Sequence, residues 1–520
     1  MSPPPPAGRC TGVTAMNDYD VVIIGSGIGG GSIATALAPT GARILILERG
    51  ERLPREPQNW DPVSVFIKLR YRSTETWYDR HGHPFRPGQY YYVGGASKMY
   101  GAAMFRLRER DFQAVEHEEG ISPAWPIRYA DLEPYYAEAE RIFKVHGEAG
   151  LDPTEPRRSG PFPHPAVPHE PVMQWVHDGL KRQGLHPFPM PLALDLGLPG
   201  GKCVRCNTCD AFPCQVGAKS DGETCLIDPV LQYPNVTLQS SSLVKRLVTD
   251  DTGRRVVAAE VEHGGVTEEV RAPLFVLSAG AVQSAVLLLR SASSKHPNGL
   301  ANSSDQVGRN FMNHNCTAFL SIMPFRANDT HLPKTLALND YYFGGDESRL
   351  PLGNLQMLGK VMEPMLRGEV PPYVPRPVSA WLGHHSVDWY VMSEDLPSPE
   401  NRVRPRADGS IDLLWERTNL KAHRRFAEVA RRFIKRVGFA TVLSKPFGQE
   451  TPSHQCGTVR FGNDPATSCL DPLCKAWDHD NLYVVDGGFF PSSAASNPAL
   501  TIAAQGLRVG QHLRQRLAGR

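Results

Sequence analysis

The sequence predicts an α/β protein (α+β over its whole length), with a Rossmann-like domain interleaved with a second domain of sheet and helix. Three observations predict it. Between Tyr19 and Glu48, an apolar run, a glycine-rich turn, a helix-like stretch and a second apolar run follow one another. Leu274–Leu277 is another apolar run, which leads through Ala279 and Gly280 into the apolar stretch Val282–Leu289. Asn481–Gly487 leads through a Ser/Ala/Pro loop into a helical pattern from about Pro498 to Leu513. Short continuous β-branched runs mark strands buried on both faces of a parallel sheet. Such runs stand at the start, in the middle and near the end of the chain.

Taken in order, Tyr19–Ile24 reads as the first strand, Ser32–Ala38 as a helix ended by Gly41, and Arg43–Glu48 as the second strand. Gly25-x-Gly27-x-x-Gly30 lies at the turn between strand and helix. Gly25 permits the tight turn, Gly27 lets backbone approach a pyrophosphate, and Gly30 lets helix and strand pack closely. Ile28 lies within the motif, and the N–H groups at the N-terminus of the helix that follows favour phosphate. Glu48 lies 23 positions after Gly25, at a strand end where it can accept hydrogen bonds from a ribose diol. The motif predicts a dinucleotide and does not separate FAD from NAD.

Residues 51–93 lack periodicity and read as a long functional loop, a lid or a subunit contact. A second glycine-rich segment spans Gly94–Gly101, and residues 129–143 read as an amphipathic helix. Val236–Leu238, Val256–Val261 and Leu274–Leu277 read as strands; Trp389–Met392 is another, and residues 421–436 form a basic helix.

The chain has 520 residues, with Lys+Arg 56 against Asp+Glu 54, a net charge of +2. No field for tracking nucleic-acid phosphates is expected from that balance. No apolar run reaches about 18 residues, so no membrane span is expected. Residues 1–17 read as a disordered, proline-rich leader with Met16 as an alternative start, and a cytoplasmic protein is the expectation. Oligomeric state is open.

Five motifs follow in order: Gly94-Gly95-Ala96-Ser97 with Gly101, Ser278–Ser291, Val307–His314, His454–Gly462, and Val485-Asp486-Gly487 with Asn497–Thr501. With them the chain resembles the glucose–methanol–choline (GMC) flavoprotein oxidoreductases over residues 18 to 515. The resemblance implies FAD. Its pyrophosphate would lie on Gly25–Gly30, its adenosine ribose on Glu48 and its adenine by Val244. Gly94, Gly95, Ser97, Tyr100 and Gly101 would run along pyrophosphate and flavin, and Ala279 and Gly280 belong to the same cradle. Asp486, Gly487, Asn497, Pro498 and Thr501 would close the other side. Some members tether FAD through a His in the second glycine-rich segment; Met99 stands there in this chain, which implies non-covalent FAD. The implied division is a discontinuous FAD domain of residues 18–120, 216–314 and 450–520, and a substrate domain of 121–215 and 315–449.

The resemblance also makes His454 and Asn497 the catalytic pair. A neutral imidazole suits removal of a hydroxyl proton near pH 7, and the Asn amide can hold the same oxygen. His314 reads as a packing residue. Similarity to aminoglycoside-type and pyranose-type members suggests a hydroxyl on a sugar, glycoside or aminocyclitol, with O2 or another electron acceptor. A lyase with structural FAD and an NAD-dependent dehydrogenase are the alternatives. Cys203, Cys206, Cys209 and Cys214 have metal-ligand spacing. An iron–sulfur or other metal site, a disulfide and reduced packed thiols all stay open there, and no metal is assigned.

Overall fold

The computed structural model describes residues 19–196, 201–371, 373–451 and 454–519. The proposed leader and Met16 lie outside the described residues. Five strands form one parallel sheet: β1 (Val21–Ile24), β2 (Ile44–Leu47), β3 (Val236–Gln239), β4 (Phe275–Leu277) and β5 (Leu482–Val484), in the order β3-β2-β1-β4-β5. Four of the five are buried throughout, as their uninterrupted apolar runs require; β3, on the edge, is buried only at Val236.

Three helices follow strand ends: α1 (Ile28–Leu37), α2 (Ala281–Arg290) and α3 (Ala499–Ala518). The helix α1 begins at Ile28 rather than at Ser32. Glycine is a poor helix former, which hides this first turn in the sequence, but packing demands it. A Cβ on Gly29 would lie 1.9 Å from the Val485 carbonyl oxygen, and one on Gly30 2.1 Å from that of Gly25. The helices α1 and α3 also meet closely, since Cβ atoms on Gly506 and Gly510 would lie 2.7 and 2.5 Å from Ser32 and Ala36 Cβ.

A three-stranded antiparallel sheet, Ser242–Thr249, Val256–His263 and Val266–Arg271, extends from the end of β3. A larger six-stranded sheet takes Thr441–Pro446, Asn315–Ile322, Ser386–Ser393, Asn354–Met357, Leu336–Leu338 and Phe188–Pro189 in that spatial order. All its pairings are antiparallel. Helices Pro171–Lys181 and Leu420–Val437 share an apolar core with this sheet. Leu355 and Met357 enter that core, so the period of two turns Asn354 and Gln356 to the other face.

Residues 121–215 divide between the two bodies. Pro171–Lys181 joins the second core, whereas Tyr129–Ile142 lies against α3, with Tyr136 and Thr501 hydroxyls 2.8 Å apart. Residues 51–93 hold only short helical turns and two-residue strands. Among the described residues, no helix is long and apolar enough to cross a membrane.

Candidate active site

The two glycine-rich loops face each other at the C-terminal end of the parallel sheet. Gly25 (φ +101°) makes the turn out of β1, and a Cβ there would lie 2.3 Å from the Ser278 carbonyl oxygen. Gly94 (φ +91°) and Gly95 (φ +62°) turn the second loop back, and a Cβ on Gly95 would lie 3.0 Å from Gly27 Cα. Gly25, Gly27, Ile28, Gly95 and Ala279 keep part of their surface accessible, and Gly280 is exposed. The first turn of α1 carries no acidic side chain. A strip of bare backbone at a helix N-terminus, which side chains would fill, fits a dinucleotide pyrophosphate.

Glu48 ties the first loop together. Its Oε2 accepts from Ser26 N (3.1 Å) and Ser26 Oγ (2.6 Å), and its Oε1 from Gly50 N (2.9 Å). Burial raises its pKa above the usual carboxylate value. Three acceptor sites are used, and a carboxylate has about four, which leaves one for a ribose hydroxyl. Ser26 Oγ in turn accepts from Gly94 N at 3.1 Å, joining the loops. Ser242 N donates to the Glu48 carbonyl oxygen at 2.8 Å, which fixes where the strand Ser242–Thr249 starts. Val244 lies two residues into that strand and is buried in the main apolar core.

The second loop is committed to its own scaffold. Ser97 Oγ donates to the Gly94 carbonyl (2.6 Å) and accepts from Gly222 N (2.9 Å). The Tyr100 hydroxyl donates to the Ser220 carbonyl, which ties the second loop to the 219–222 segment. Lys219, fully buried, donates to the carbonyls of Tyr100 (2.8 Å), Cys209 (2.9 Å) and Phe212 (2.6 Å), and burial lowers its pKa. Gly101 makes room for an ion pair, because a Cβ there would lie 2.2 Å from Lys334 Nζ and 2.4 Å from Asp210 Oδ1. Lys334 and Asp210 are themselves 2.6 Å apart.

On the far side, Asp486 accepts from Gly280 N (3.0 Å), Gly488 N (2.7 Å) and the Ser284 hydroxyl. It thereby locks the turns before α2 and after β5. Gly487 lets the 454–459 segment lie against it, since a Cβ would sit 2.5 Å from the Gln455 carbonyl oxygen. Pro498 is the residue before the first turn of α3. The Thr501 hydroxyl is taken up by Tyr136, so its backbone N–H is what that first turn presents.

His454 and Asn497, 43 positions apart, are brought together, with His454 Nε2 and Asn497 Nδ2 at 3.4 Å. Three contacts hold the His454 segment. Its backbone N donates to Asn313 Oδ1 (3.0 Å), Asn313 N donates to Asp395 Oδ2 (3.0 Å), and Cys456 and Met312 exchange backbone bonds at 3.0 Å. His314, which the sequence suggests only as packing, presents its Nδ1 to His454 Nδ1 at 2.9 Å. Its Nε2 faces the carbonyls of Ser493 (3.1 Å) and Ala494 (2.9 Å). Burial holds His454 well below the usual imidazole pKa and His314 at about 4, so both rings are neutral at pH 7. Two more side chains here were missed in the sequence. Gln356 Nε2 donates to Asn497 Oδ1 at 2.9 Å, and Lys334 adds a positive charge that also disfavours protonation of His454. A buried polar residue inside a strand and a lysine in an unpatterned loop carry no motif.

The four clustered cysteines are unpaired thiols. Cys206 is pulled down to about 5 by a hydrogen bond from Cys209, whose own pKa rises for the same reason. Cys214 Sγ accepts from Ala218 N at 3.3 Å. Among the described residues, no group of three His, Cys, Asp or Glu side chains is arranged to hold a metal.

Residues 88–316 match the N-terminal and residues 395–506 the C-terminal model of the GMC oxidoreductase family. The chain is 30% identical to paromamine 6'-oxidase of Streptomyces fradiae, over 94% of this chain and 90% of that one. It is 29% identical to 6'''-hydroxyparomomycin C oxidase of Streptomyces lividus, over 97% and 93%. Fructose dehydrogenase large subunit of Gluconobacter japonicus is 25% identical over 94% and 96%. The fold is shared with pyridoxine 4-oxidase from Mesorbium loti, with a TM-score of 0.69 at 18% identity, over 96% of this chain and 99% of that one. The chain belongs to the GMC oxidoreductases, a flavoprotein family of oxidases and dehydrogenases that act on alcohol groups.

Proposed function

We propose that this chain oxidises a hydroxyl of a sugar, glycoside or aminocyclitol to an aldehyde or ketone, with FAD bound non-covalently. The similarity to two aminoglycoside oxidases supports the substrate class. Gly25, Gly27, Ile28 and Gly30 would hold the pyrophosphate. Glu48 and Val244 would meet ribose and adenine. Gly94, Gly95, Ser97, Tyr100 and Gly101 would line one side of the cofactor. Ala279, Gly280, Asp486, Gly487, Pro498 and Thr501 would close the other. The FAD domain would be discontinuous, and the helix Tyr129–Ile142 would belong to it rather than to the substrate domain expected to take residues 121–215. FAD, when bound, supplies the hydride acceptor.

The rest of the chemistry belongs to the side chains. His454, which its depressed pKa leaves neutral at pH 7, accepts the hydroxyl proton on Nε2. Asn497 donates an amide hydrogen to the same oxygen and holds the carbinol C–H in line. The α3 N-terminus favours negative charge next to it. O2 or another acceptor takes the electrons on.

The observation that carries this reading is the approach of His454 Nε2 to Asn497 Nδ2 at 3.4 Å. An anaerobic panel of sugars, aminoglycosides and simple alcohols tests it. Bleaching of the flavin by sugar-type alcohols, then peroxide on readmission of air, supports an oxidase; bleaching without peroxide supports a dehydrogenase. No bleaching by any alcohol refutes the proposal.

A further inference from the structure

We infer that two hydrogen-bond chains, one through His314 and one through Gln356, lock His454 in the tautomer that leaves Nε2 unprotonated toward the substrate. The inference rests on His454 being the base. Each chain ends on a group that can only accept, so with both rings neutral its direction follows.

The first chain starts at the carbonyls of Ser493 and Ala494. Both face His314 Nε2, at 3.1 and 2.9 Å, so Nε2 carries the hydrogen. A neutral His314 then has a bare Nδ1, 2.9 Å from His454 Nδ1. His454 must donate there, which puts its one hydrogen on Nδ1 and leaves the Nε2 lone pair free. Ala494 is held at φ +53°, a left-handed conformation that a non-glycine residue seldom adopts. The turn that aims these carbonyls is thus built at the expense of local strain.

The second chain starts at the Asp152 carboxylate, itself 2.6 Å from Arg108. Asn339 Nδ2 donates to Asp152 Oδ2 (2.7 Å), so Asn339 Oδ1 points onward and accepts from Asn354 Nδ2 (2.7 Å). Asn354 Oδ1 accepts from Gln356 Nε2 (2.9 Å), whose second hydrogen goes to Asn497 Oδ1 (2.9 Å). Asn497 is left with its Nδ2 toward His454 Nε2, which again must be the acceptor. Asn339, Asn354 and Gln356 are fully buried, so water offers no competing partner that would flip an amide. The two chains enter from different parts of the fold and agree on one protonation state. His314 and Gln356 are therefore positioning residues, and the sheet places Gln356 by the strand alternation that sends Leu355 and Met357 into the opposite core.

The test uses holoenzyme and the alcohol that best bleaches the wild-type flavin, with FAD content and melting temperature checked for each variant. Gln356→Glu keeps the size of the side chain, but a carboxylate cannot donate, so Asn497 must turn its Nδ2 to it and its oxygen to His454. Gln356→Leu removes the donor and leaves Asn497 free to choose. The inference expects kcat for flavin reduction to fall roughly 100-fold or more in Gln356→Glu and less in Gln356→Leu, with KM changed far less; a wrong tautomer in a hydrolase triad costs about 10⁴-fold. A merely structural role gives the reverse order, since the isosteric change is then the milder one. His314→Phe should lower kcat about 100-fold by the same argument, and His314→Asn, whose Oδ1 can take the place of Nδ1 as acceptor, should recover much of it. Equal losses in Gln356→Glu and Gln356→Leu, the reverse order, or no recovery in His314→Asn would overturn the inference. His454→Ala separates the two levels. If it keeps full activity, the base assignment fails; if it is inactive while Gln356→Glu and His314→Phe are normal, only the tautomer lock fails.

Discussion

Replacing Gly27 by alanine should separate the stability of the fold from its affinity for FAD. Gly27 sits at φ −65°, ψ −172°, a conformation open to any residue. A Cβ there meets only Gly95 Cα, at 3.9 Å. Without cofactor, Gly27→Ala should therefore match wild type or gain about 0.4–1 kcal/mol from a less flexible unfolded chain. With cofactor, the methyl group stands in the strip of bare backbone where the pyrophosphate would lie. Losing two charge-assisted N–H bonds, at about 1.5 kcal/mol or more each, weakens binding by about 3 kcal/mol, which is more than about 100-fold in Kd. Gly30→Ala is the control. Its Cβ would lie 2.1 Å from the Gly25 carbonyl oxygen, so it should destabilise the FAD-free protein itself by about 1–3 kcal/mol. The assay is thermal melting of FAD-stripped protein together with titration of flavin fluorescence. The reasoning is refuted if Gly27→Ala binds FAD within two- to three-fold of wild type, or if it melts as low as Gly30→Ala without FAD.

Three other changes test different parts of the structure. Asp111 is pushed up to about 7 by burial, and one oxygen accepts from both Arg108 N (2.7 Å) and the Tyr342 hydroxyl (3.0 Å). Its folded pKa exceeds its unfolded value, so its contribution is complete below about pH 4 and lost as pH rises through about 7. Asp111→Asn keeps an acceptor for both donors and should flatten that loss, which at about 1.4 kcal/mol per pH unit amounts to at most about 4 kcal/mol; parallel stability–pH curves for the two proteins would contradict this. Lys219→Met strips the buried donor from three backbone carbonyls and should lower the unfolding free energy by about 2–4 kcal/mol, an outcome checked by urea unfolding. Asn497→Ala should slow anaerobic flavin reduction, though less than loss of His454 does, and an unchanged rate would remove Asn497 from the chemistry.

Four of the five strands of the parallel sheet were legible because they are short and apolar throughout, a pattern with few physical alternatives. The strand Val266–Arg271 was not, because it lies at a sheet edge with Thr267, Glu268 and Glu269 exposed, so no alternation of apolar residues marks it. The first turn of α1 was hidden by Gly29, Gly30 and Gly31, residues chosen for close packing against local helix propensity. The site divides in the same way. His454 and Asn497 sit in motifs and meet in space. Gln356, Asn354 and Asn339 act through burial and hydrogen-bond direction, which depend on strands far apart in sequence. Lys219 is bonded to the Tyr100 carbonyl 119 positions away, a contact that only the fold shows.

The most direct test is the rate of anaerobic flavin reduction in His454→Ala, measured with the alcohol that reduces the wild-type enzyme. FAD should remain bound at wild-type content, because no side-chain atom of His454 supports either glycine loop, and reduction should slow by about 10²–10⁴-fold. Reduction at the full wild-type rate, with FAD bound, would show that His454 is not the base.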